Sequence, residues 1–206
     1  MRKIRHGNHV KQLTIWLLFL FLGIGCPEAW GQDETLTPGA TISNGSYGTK
    51  ILKTGTYTLD NVTTSGLYLR IEGTVTLQLR GKNSLEAKSF QPAINVADPY
   101  EVIITNYPGE TGILIANTVQ NIGAKAPAIG VYYTQEDMGK ITISGAIYVE
   151  AKGYMYASGI GIAQSSSSKR NVTLKDGASL YLKIGTGNGP SRIDIPNFAL
   201  VVVDPT

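Results

Sequence analysis

The chain has 206 residues, of which 18 are basic and 15 acidic, for a formal net charge of +3. Four of the basic residues and one of the acidic residues lie in residues 1–31, so residues 32–206 hold 14 of each sign and carry no net charge. A neutral chain lacks the basic surplus that binds nucleic acid or an anionic membrane, and we expect neither as a partner.

Both histidines, His6 and His9, and the only cysteine, Cys26, also lie within the first 31 residues. The rest of the chain therefore cannot supply a Ser-His-Asp or Cys-His nucleophile system, or a zinc site of histidine and cysteine. It has no disulfides either, so its stability must come from a core and a hydrogen-bonded framework. We expect no cofactor, no metal and no catalytic residue.

The N-terminal segment has the features of a signal peptide. A basic start is followed by 13 nearly unbroken apolar residues, 13–25, which is short for a membrane span of about 20 residues. Ala29 and Gly31 supply small residues at −3 and −1 of a cleavage before Gln32. We therefore predict a signal peptide at 1–31, a single domain at 32–206 with no membrane span, and export to the periplasm, the cell surface or the extracellular space.

An alternative for the same segment is lipidation at Cys26. Gly23 lies at −3 from this cysteine, where the bacterial lipoprotein pattern usually has an aliphatic residue, and Pro27 follows it directly. Both residues favour ordinary cleavage over lipidation.

The clearest strand pattern lies in residues 67–80, where apolar and polar residues alternate. The residues predicted to face inward are Leu67, Leu69, Ile71, Val75, Leu77 and Leu79. The residues predicted to face outward are Tyr68, Arg70, Glu72, Thr76, Gln78 and Arg80.

A short β-type run recurs four times along the chain, followed in three cases by a small-Ile-small step. The runs are Val75-Thr76-Leu77, Val102-Ile103-Ile104, Ile141-Thr142-Ile143 and Val172-Thr173-Leu174. The steps are Ala93-Ile94-Asn95, Ala128-Ile129-Gly130 and Gly159-Ile160-Gly161. The order is kept while the loops change length, which is typical of a solenoid.

The repeat predicts an all-β fold, a right-handed parallel β-helix of about five or six coils. We interpret each small-Ile-small step as a tight corner, with isoleucine filling the interior. Residues 33–60 are expected to form an N-terminal cap or first coil. The alternative fold is an antiparallel β-sandwich, which also has many short strands but needs no long-range similarity between them.

Residues 73–85 read Gly-Thr-Val-Thr-Leu-Gln-Leu-Arg-Gly-Lys-Asn-Ser-Leu. They resemble the G-t-v-t-l-x-L-x-G-x-N-s-L coil of secreted β-helix proteins of gut Bacteroidetes and clostridia, which are often described as carbohydrate-binding domain-containing. Residues 157–161 followed by 171–174 resemble the A-G-I-G … n-I-T-I coil of the same proteins, although Ile162-Ala163-Gln164 replaces their further glycines. The resemblance covers about residues 55–185. It implies a β-helix and, more loosely, binding of polysaccharide outside the cell. The acidic clusters that bind calcium in some related modules are not evident here.

Aligning the repeats also predicts two outward columns of side chains. One column is Ser84, Leu114, Tyr148 and Tyr181, and the next is Glu86, Ala116, Glu150 and Lys183. With coils about 4.8 Å apart, Tyr148 and Tyr181 would be neighbours beside a Glu150–Lys183 pair. Such an aromatic shelf is a candidate glycan platform, because a tyrosine ring offers an apolar face and a hydroxyl. The alternative is that the stacked aromatics only stabilise the sheet.

Tyr68, Arg70 and Glu72 form a second candidate glycan site on one outward face. Arg70 and Glu72 have the charges to hold an acidic sugar, but pairing with each other is the simpler use of two surface charges.

The acidic residues are scattered, whereas glycoside hydrolases gather two carboxylates about the scissile bond. We therefore predict a protein that is not an enzyme and that binds polysaccharide at the cell surface or outside the cell. The C-terminal strand, residues 198–204, is predicted to pack over the last repeat, with self-association through this strand as the alternative. One alternative function is that of a structural or adhesive surface protein that binds another protein. The other is a small polysaccharide lyase.

Overall fold

The structure is a computed structural model that describes residues 33–87, 91–118, 126–131, 137–153, 157, 159–162, 172–175, 177–183 and 201–204. The chain divides into two units, Met1–Gln32 and Asp33–Thr206, and all the described residues belong to the second. The predicted signal peptide at 1–31 and Cys26 therefore lie outside the described residues.

The described residues form strands and no helix. The strands are β1 (Glu34–Leu36), β2 (Thr41–Ser43), β3 (Gly48–Asp60), β4 (Thr63–Ser65), β5 (Leu67–Ala87), β6 (Ile94–Asn95), β7 (Glu101–Asn106), β8 (Gly112–Thr118), β9 (Ile129–Val131), β10 (Lys140–Ile143), β11 (Ile147–Lys152), β12 (Ile160–Ile162), β13 (Val172–Leu174), β14 (Ser179–Lys183) and β15 (Val201–Asp204).

The strands pair into three parallel ladders, which the long strands β3 and β5 connect into one sheet. Ladder 1 contains β1, the first part of β3, the first part of β5, β6, β9 and β12. Ladder 2 contains β2, the second part of β3, the middle of β5, β7, β10 and β13. Ladder 3 contains β4, the end of β5, β8, β11, β14 and β15.

All these strand pairings are parallel, and the one antiparallel contact in the described residues is an isolated bridge between Ala97 and Met138. The antiparallel β-sandwich considered as an alternative is therefore wrong for the described residues. The all-β, parallel prediction is confirmed.

The chain visits the three ladders in the same order in each repeat, and we call one such passage a rung. Rungs 1 to 5 span residues 48–65, 67–87, 94–118, 129–152 and 160–183. β1 and β2 precede rung 1 in ladders 1 and 2. β15 follows rung 5 in ladder 3.

The repeated β-type runs lie in register in ladder 2, as predicted. Val75 pairs with Val102, Val102 with Ile141, and Ile141 with Val172. Each run thus places one β-branched residue directly over the next at a spacing of about 4.8 Å. The four repeated runs of the sequence are therefore the residues that pair in register in ladder 2.

The small-Ile-small steps also stack in register, but they form strands of ladder 1 and not corners. Ile94, Ile129 and Ile160 are buried and pair with one another in β6, β9 and β12. The prediction of a corner was wrong because a glycine or alanine beside an inward isoleucine also fits a short strand that lies close to the backbone of the next rung. Gly130 is such a residue: a Cβ on it would lie 1.9 Å from the carbonyl oxygen of Gly161.

The core is a continuous stack of inward apolar side chains. The alternation predicted for rung 2 is confirmed, since Leu67, Leu69, Ile71, Val75, Leu77 and Leu79 are all at most 1% exposed. Burying one such side chain is worth about 1.5–3 kcal/mol. Each rung therefore gains stability by burying apolar side chains at the positions where its neighbouring rungs also bury them.

Asn83 is a fully buried polar residue on the inward side of ladder 3. Its Oδ1 accepts a hydrogen bond from the Val62 amide at 3.0 Å, and its Nδ2 donates to the Arg80 carbonyl at 3.1 Å and the Ile113 carbonyl at 3.4 Å. One side chain therefore joins rungs 1, 2 and 3. Asn83 is the asparagine of the G-x-N-s-L motif, which gives this part of the motif a structural role.

Asparagines at the corner between ladders 2 and 3 also join neighbouring rungs. The Oδ1 atoms of Asn44, Asn61 and Asn106 accept hydrogen bonds from the amides of Thr63, Lys82 and Ala146, at 3.2, 3.3 and 3.2 Å. Because each side chain reaches the next rung, these corners stay aligned although the loops around them differ in length.

The N-terminal end of the core is closed by polar groups on inward positions. Lys50 pairs in register with the buried Leu69, yet it forms an ion pair with Glu34. The buried Tyr57 donates hydrogen bonds from its hydroxyl to the carbonyls of Lys53 and Leu36. Lys50 and Glu34 belong to residues 33–60, which were expected to form an N-terminal cap or first coil and which contain β1, β2 and the start of rung 1.

We expect Gly130→Ala to destabilise the fold by at least about 3 kcal/mol, because its φ of +135° is unfavourable for alanine and the added Cβ would meet the Gly161 backbone. The measurement is the urea midpoint followed by circular dichroism. Gly109→Ala is the control: Gly109 has a φ of +79° with no atom within 4 Å of an added Cβ, so it should lose only about 1 kcal/mol. Equal losses would contradict close stacking of rungs 4 and 5.

We expect Asn83→Ala to lower the free energy of unfolding by about 2–4 kcal/mol, since it leaves the buried Val62 amide without its acceptor. Equilibrium denaturation measures the change. Asn117→Ala is a matched control, because the buried Oδ1 of Asn117 has no hydrogen-bond partner among the described residues and its removal should cost less than about 1 kcal/mol. A small loss for Asn83→Ala would disprove its role in joining the rungs.

Candidate ligand-binding face

The outward face of ladder 1 carries an ion-pair network in rungs 1 and 2. Arg70 pairs with Glu72 at 2.7 Å and with Asp33 at 3.1 Å, and Glu72 also pairs with Lys53. The predicted pairing of Arg70 with Glu72 is confirmed. The half-buried Tyr68 belongs to the same strand, two residues before Arg70.

The network changes the acidity of its central carboxylate. The hydrogen bond from Lys53 holds the pKa of Glu72 below its ordinary value, and the charge of Arg70 acts in the same direction against the effect of burial. Each charge in this group already has an opposite partner, so an acidic sugar would have to displace Glu72 or Asp33 from Arg70. The geometry favours internal pairing over ligand binding here.

The outward face of ladder 2 uses its charges in the same way. Arg80 pairs with Glu110 at 3.1 Å and with Asp60 at 3.7 Å, and its guanidinium lies 3.7 Å from the centre of the Tyr107 ring. Burial opposes the charged form, but the carboxylates of Glu110 and Asp60 raise the pKa of Arg80 overall. Lys140 pairs with Glu101 at 2.9 Å across rungs 3 and 4.

Ladder 3 presents a different outward face, and its register corrects the predicted columns. One outward column is Lys82, Ile113, Tyr148 and Ser179; the next is Thr63, Ser84, Ile115, Glu150 and Tyr181; the third is Ser65, Glu86, Asn117 and Lys152.

Tyr148 therefore pairs with Ser179, and Tyr181 pairs with Glu150, so the predicted stacking of Tyr148 on Tyr181 is wrong. The two tyrosines instead lie on a diagonal, one strand and two residues apart, which puts their Cα atoms about 8 Å from each other. The structure brings Tyr148, Glu150 and Tyr181 onto one face, in an order different from the predicted one.

Three further predicted positions also move, and the first is Ala116, which was predicted to face outward but is fully buried. Lys183 pairs with Lys152 and not with Glu150, and the Lys183 side chain lies outside the described part of the structure. Leu114, predicted to face outward, is fully buried, because the true partner of Ser84 is Ile115. The predicted Glu150–Lys183 pair is therefore wrong, because these two residues are not partners in the strand register.

The spacing between ladders would have given the correct register. In three rungs the run in ladder 2 begins eight positions before the buried ladder 3 residue of the Leu114 column: Val75 and Asn83, Ile141 and Val149, Val172 and Leu180. Rung 3 departs from this spacing because residues 107–111 form a longer corner before Leu114. Counting from the ladder 2 runs would thus have placed Ser179 beside Tyr148.

Ile113 and Tyr148 form an exposed apolar pair at the centre of this face. They are adjacent in register in β8 and β11, and each is 37% exposed, which makes them two of the three large hydrophobic residues exposed among the described residues. Sequence analysis missed Ile113 because its column was assigned to Leu114. Burial of the ring, together with the charge of Glu150, raises the pKa of Tyr148 above its ordinary value.

The carboxylates of ladder 3 differ from those of the other two ladders. Within the described residues, neither Glu150 nor Glu86 takes part in an ion pair, whereas the outward acids of ladders 1 and 2 named above all do. Glu150 pairs in register with Ile115 on one side and Tyr181 on the other. We call Ile113, Ile115, Tyr148, Glu150 and Tyr181 the ladder 3 patch.

The described residues contain no group of three or more histidine, cysteine, aspartate or glutamate side chains that could hold a metal ion. They also contain no helix long and apolar enough to cross a membrane. No family model, curated protein or solved structure matches the chain.

We expect Glu72→Gln to lower the free energy of unfolding at neutral pH by up to about 1 kcal/mol. The folded-state pKa of Glu72 is depressed, so its stabilisation exists above the unfolded-state pKa and is lost as the pH falls through the folded-state value. Denaturation at several pH values should therefore show the difference from the unsubstituted protein disappearing in acid. Glu86→Gln, which breaks no ion pair of the described residues, is the control, and a pH-independent loss for Glu72→Gln would contradict the role of its charge.

Proposed function

We propose that the protein is an exported, non-catalytic right-handed parallel β-helix that binds glycans through the ladder 3 patch, at the cell surface or outside the cell. In this proposal each rung is one coil, and the fold is that of the secreted β-helix proteins that residues 73–85 resemble. The observation that carries the binding proposal is the exposed pair of Ile113 and Tyr148 beside Glu150, a carboxylate outside the ion pairs of the described residues.

The chemistry of the patch supports a sugar ligand. A pyranose ring has an apolar face of C–H groups and an edge of hydroxyls. A tyrosine ring packs against the apolar face, and a carboxylate accepts strong hydrogen bonds from hydroxyls. Tyr148 and Glu150 are two residues apart on β11, so both side chains project from the same side of one strand.

The rigidity of the platform supports binding as well. The patch lies on the ladder strands β8, β11 and β14 and not on loops, and each of these strands is paired with a neighbouring strand on both sides. Preorganised side chains lose less conformational entropy when a ligand binds.

A second candidate function is binding of another protein. Ile113 favours it, because an exposed aliphatic side chain has no hydrogen-bonding group to offer a sugar and suits an apolar protein surface. The C-terminal strand predicted to pack over the last repeat does pair with β14 as β15.

We expect Tyr148→Ala to weaken binding of a glycan found by array screening by about tenfold, whereas Tyr148→Phe should retain most of the affinity because it keeps the ring. Isothermal titration calorimetry with that glycan measures both. Tyr68→Ala, on the outward face of ladder 1, is the matched control and should bind as the unsubstituted protein does. Loss of binding in Tyr68→Ala alone would place the site on ladder 1, and no binding to any glycan would leave the protein-binding function.

A further inference from the structure

We infer that the ladder 3 patch selects uncharged glycans over glycans that carry uronate carboxylates, and that Glu150 is the residue that makes the selection. The inference rests on the proposed function, since it names the class of glycan that the same face binds. It follows from where the charged side chains of this face lie.

The centre of the patch has one ionisable group that is charged at neutral pH, the carboxylate of Glu150. In register it lies between Ile115 and Tyr181, and along β11 it lies between the inward residues Val149 and Ala151. No arginine or lysine of the described residues forms an ion pair with it.

The nearest cations in register lie at the margin of the patch. Lys152 follows Glu150 by two residues on β11, about 7 Å along the strand, and Lys183 is the register partner of Lys152 on β14. Lys82 lies two strands from Tyr148 in its column. A sugar stacked on Tyr148 would thus have its edge beside a carboxylate and not beside a cation.

This placement decides which sugars fit. The hydroxyls of a neutral sugar can donate to the Glu150 oxygens, and hydrogen bonds to a charged acceptor are stronger than neutral ones. A uronate at the same position would put a second carboxylate next to Glu150, and like charges brought together on binding cost affinity. The arginines with the geometry to bind a carboxylate, Arg70 and Arg80, are paired on other ladders.

The test compares matched glycans on the full chain. Each neutral oligosaccharide of a panel is presented beside its oxidised counterpart, in which the primary hydroxyls are carboxylates, and dissociation constants are measured at low ionic strength. We expect the neutral form of any bound glycan to bind about tenfold more tightly than its oxidised form. Glu150→Gln should bring the two forms to within about threefold by improving binding of the oxidised form and weakening that of the neutral form.

Glu86→Gln is the matched control, because it removes the same charge from ladder 3 at two rungs from Glu150 and should leave the preference unchanged. Equal or tighter binding of the oxidised forms by the unsubstituted protein would overturn the inference while leaving glycan binding intact. A preference that Glu86→Gln reduces as much as Glu150→Gln would also overturn it, since the net charge of the face would then be responsible. If the protein bound no member of the panel, both the inference and the proposed function would be disproved.

Discussion

In-register parallel pairing of successive rungs is the constraint on which the rest of the structure depends. Each rung donates and accepts backbone hydrogen bonds along three ladders, so each inward side chain lies directly over its counterpart in the next rung. The core can be filled only if those counterparts have compatible size and polarity, as the column Val75, Val102, Ile141 and Val172 shows. Close stacking also explains why Gly130 has no room for a side chain beside Gly161.

The same constraint leaves the outward positions free to differ, and the three ladders use that freedom in different ways. Ladders 1 and 2 join neighbouring rungs with ion pairs, such as Lys53 with Glu72 and Arg80 with Asp60. Ladder 3 instead places apolar side chains next to charged groups that form no such pairs among the described residues. Surface ion pairs add little stability each, so this difference has little effect on folding, and it is the reason that the proposed site lies on ladder 3.

The polar groups inside the structure serve alignment. Asn83 satisfies backbone groups of the rungs before and after its own, and Asn44, Asn61 and Asn106 do the same at one corner. A buried amide that lost these partners would cost about 1–3 kcal/mol, so a misaligned rung is penalised even where its apolar contacts would tolerate the shift. Loops of unequal length can then be inserted without loss of register, as residues 107–111 show in rung 3.

The sequence by itself determined the class of fold, the side chains that face inward in residues 67–80, and the register of ladder 2, because apolar alternation and the repeated β-branched runs report burial directly. It also indicated that Arg70 and Glu72 pair. Only the tertiary structure decided which outward residues of ladder 3 are neighbours. The side-chain period of a strand is two, so a slip of two residues leaves the inward and outward pattern unchanged. Alternation therefore could not distinguish Tyr181 from Ser179 as the partner of Tyr148. Ile113 was recognised as an outward residue of ladder 3 only when hydrogen bonding fixed the register.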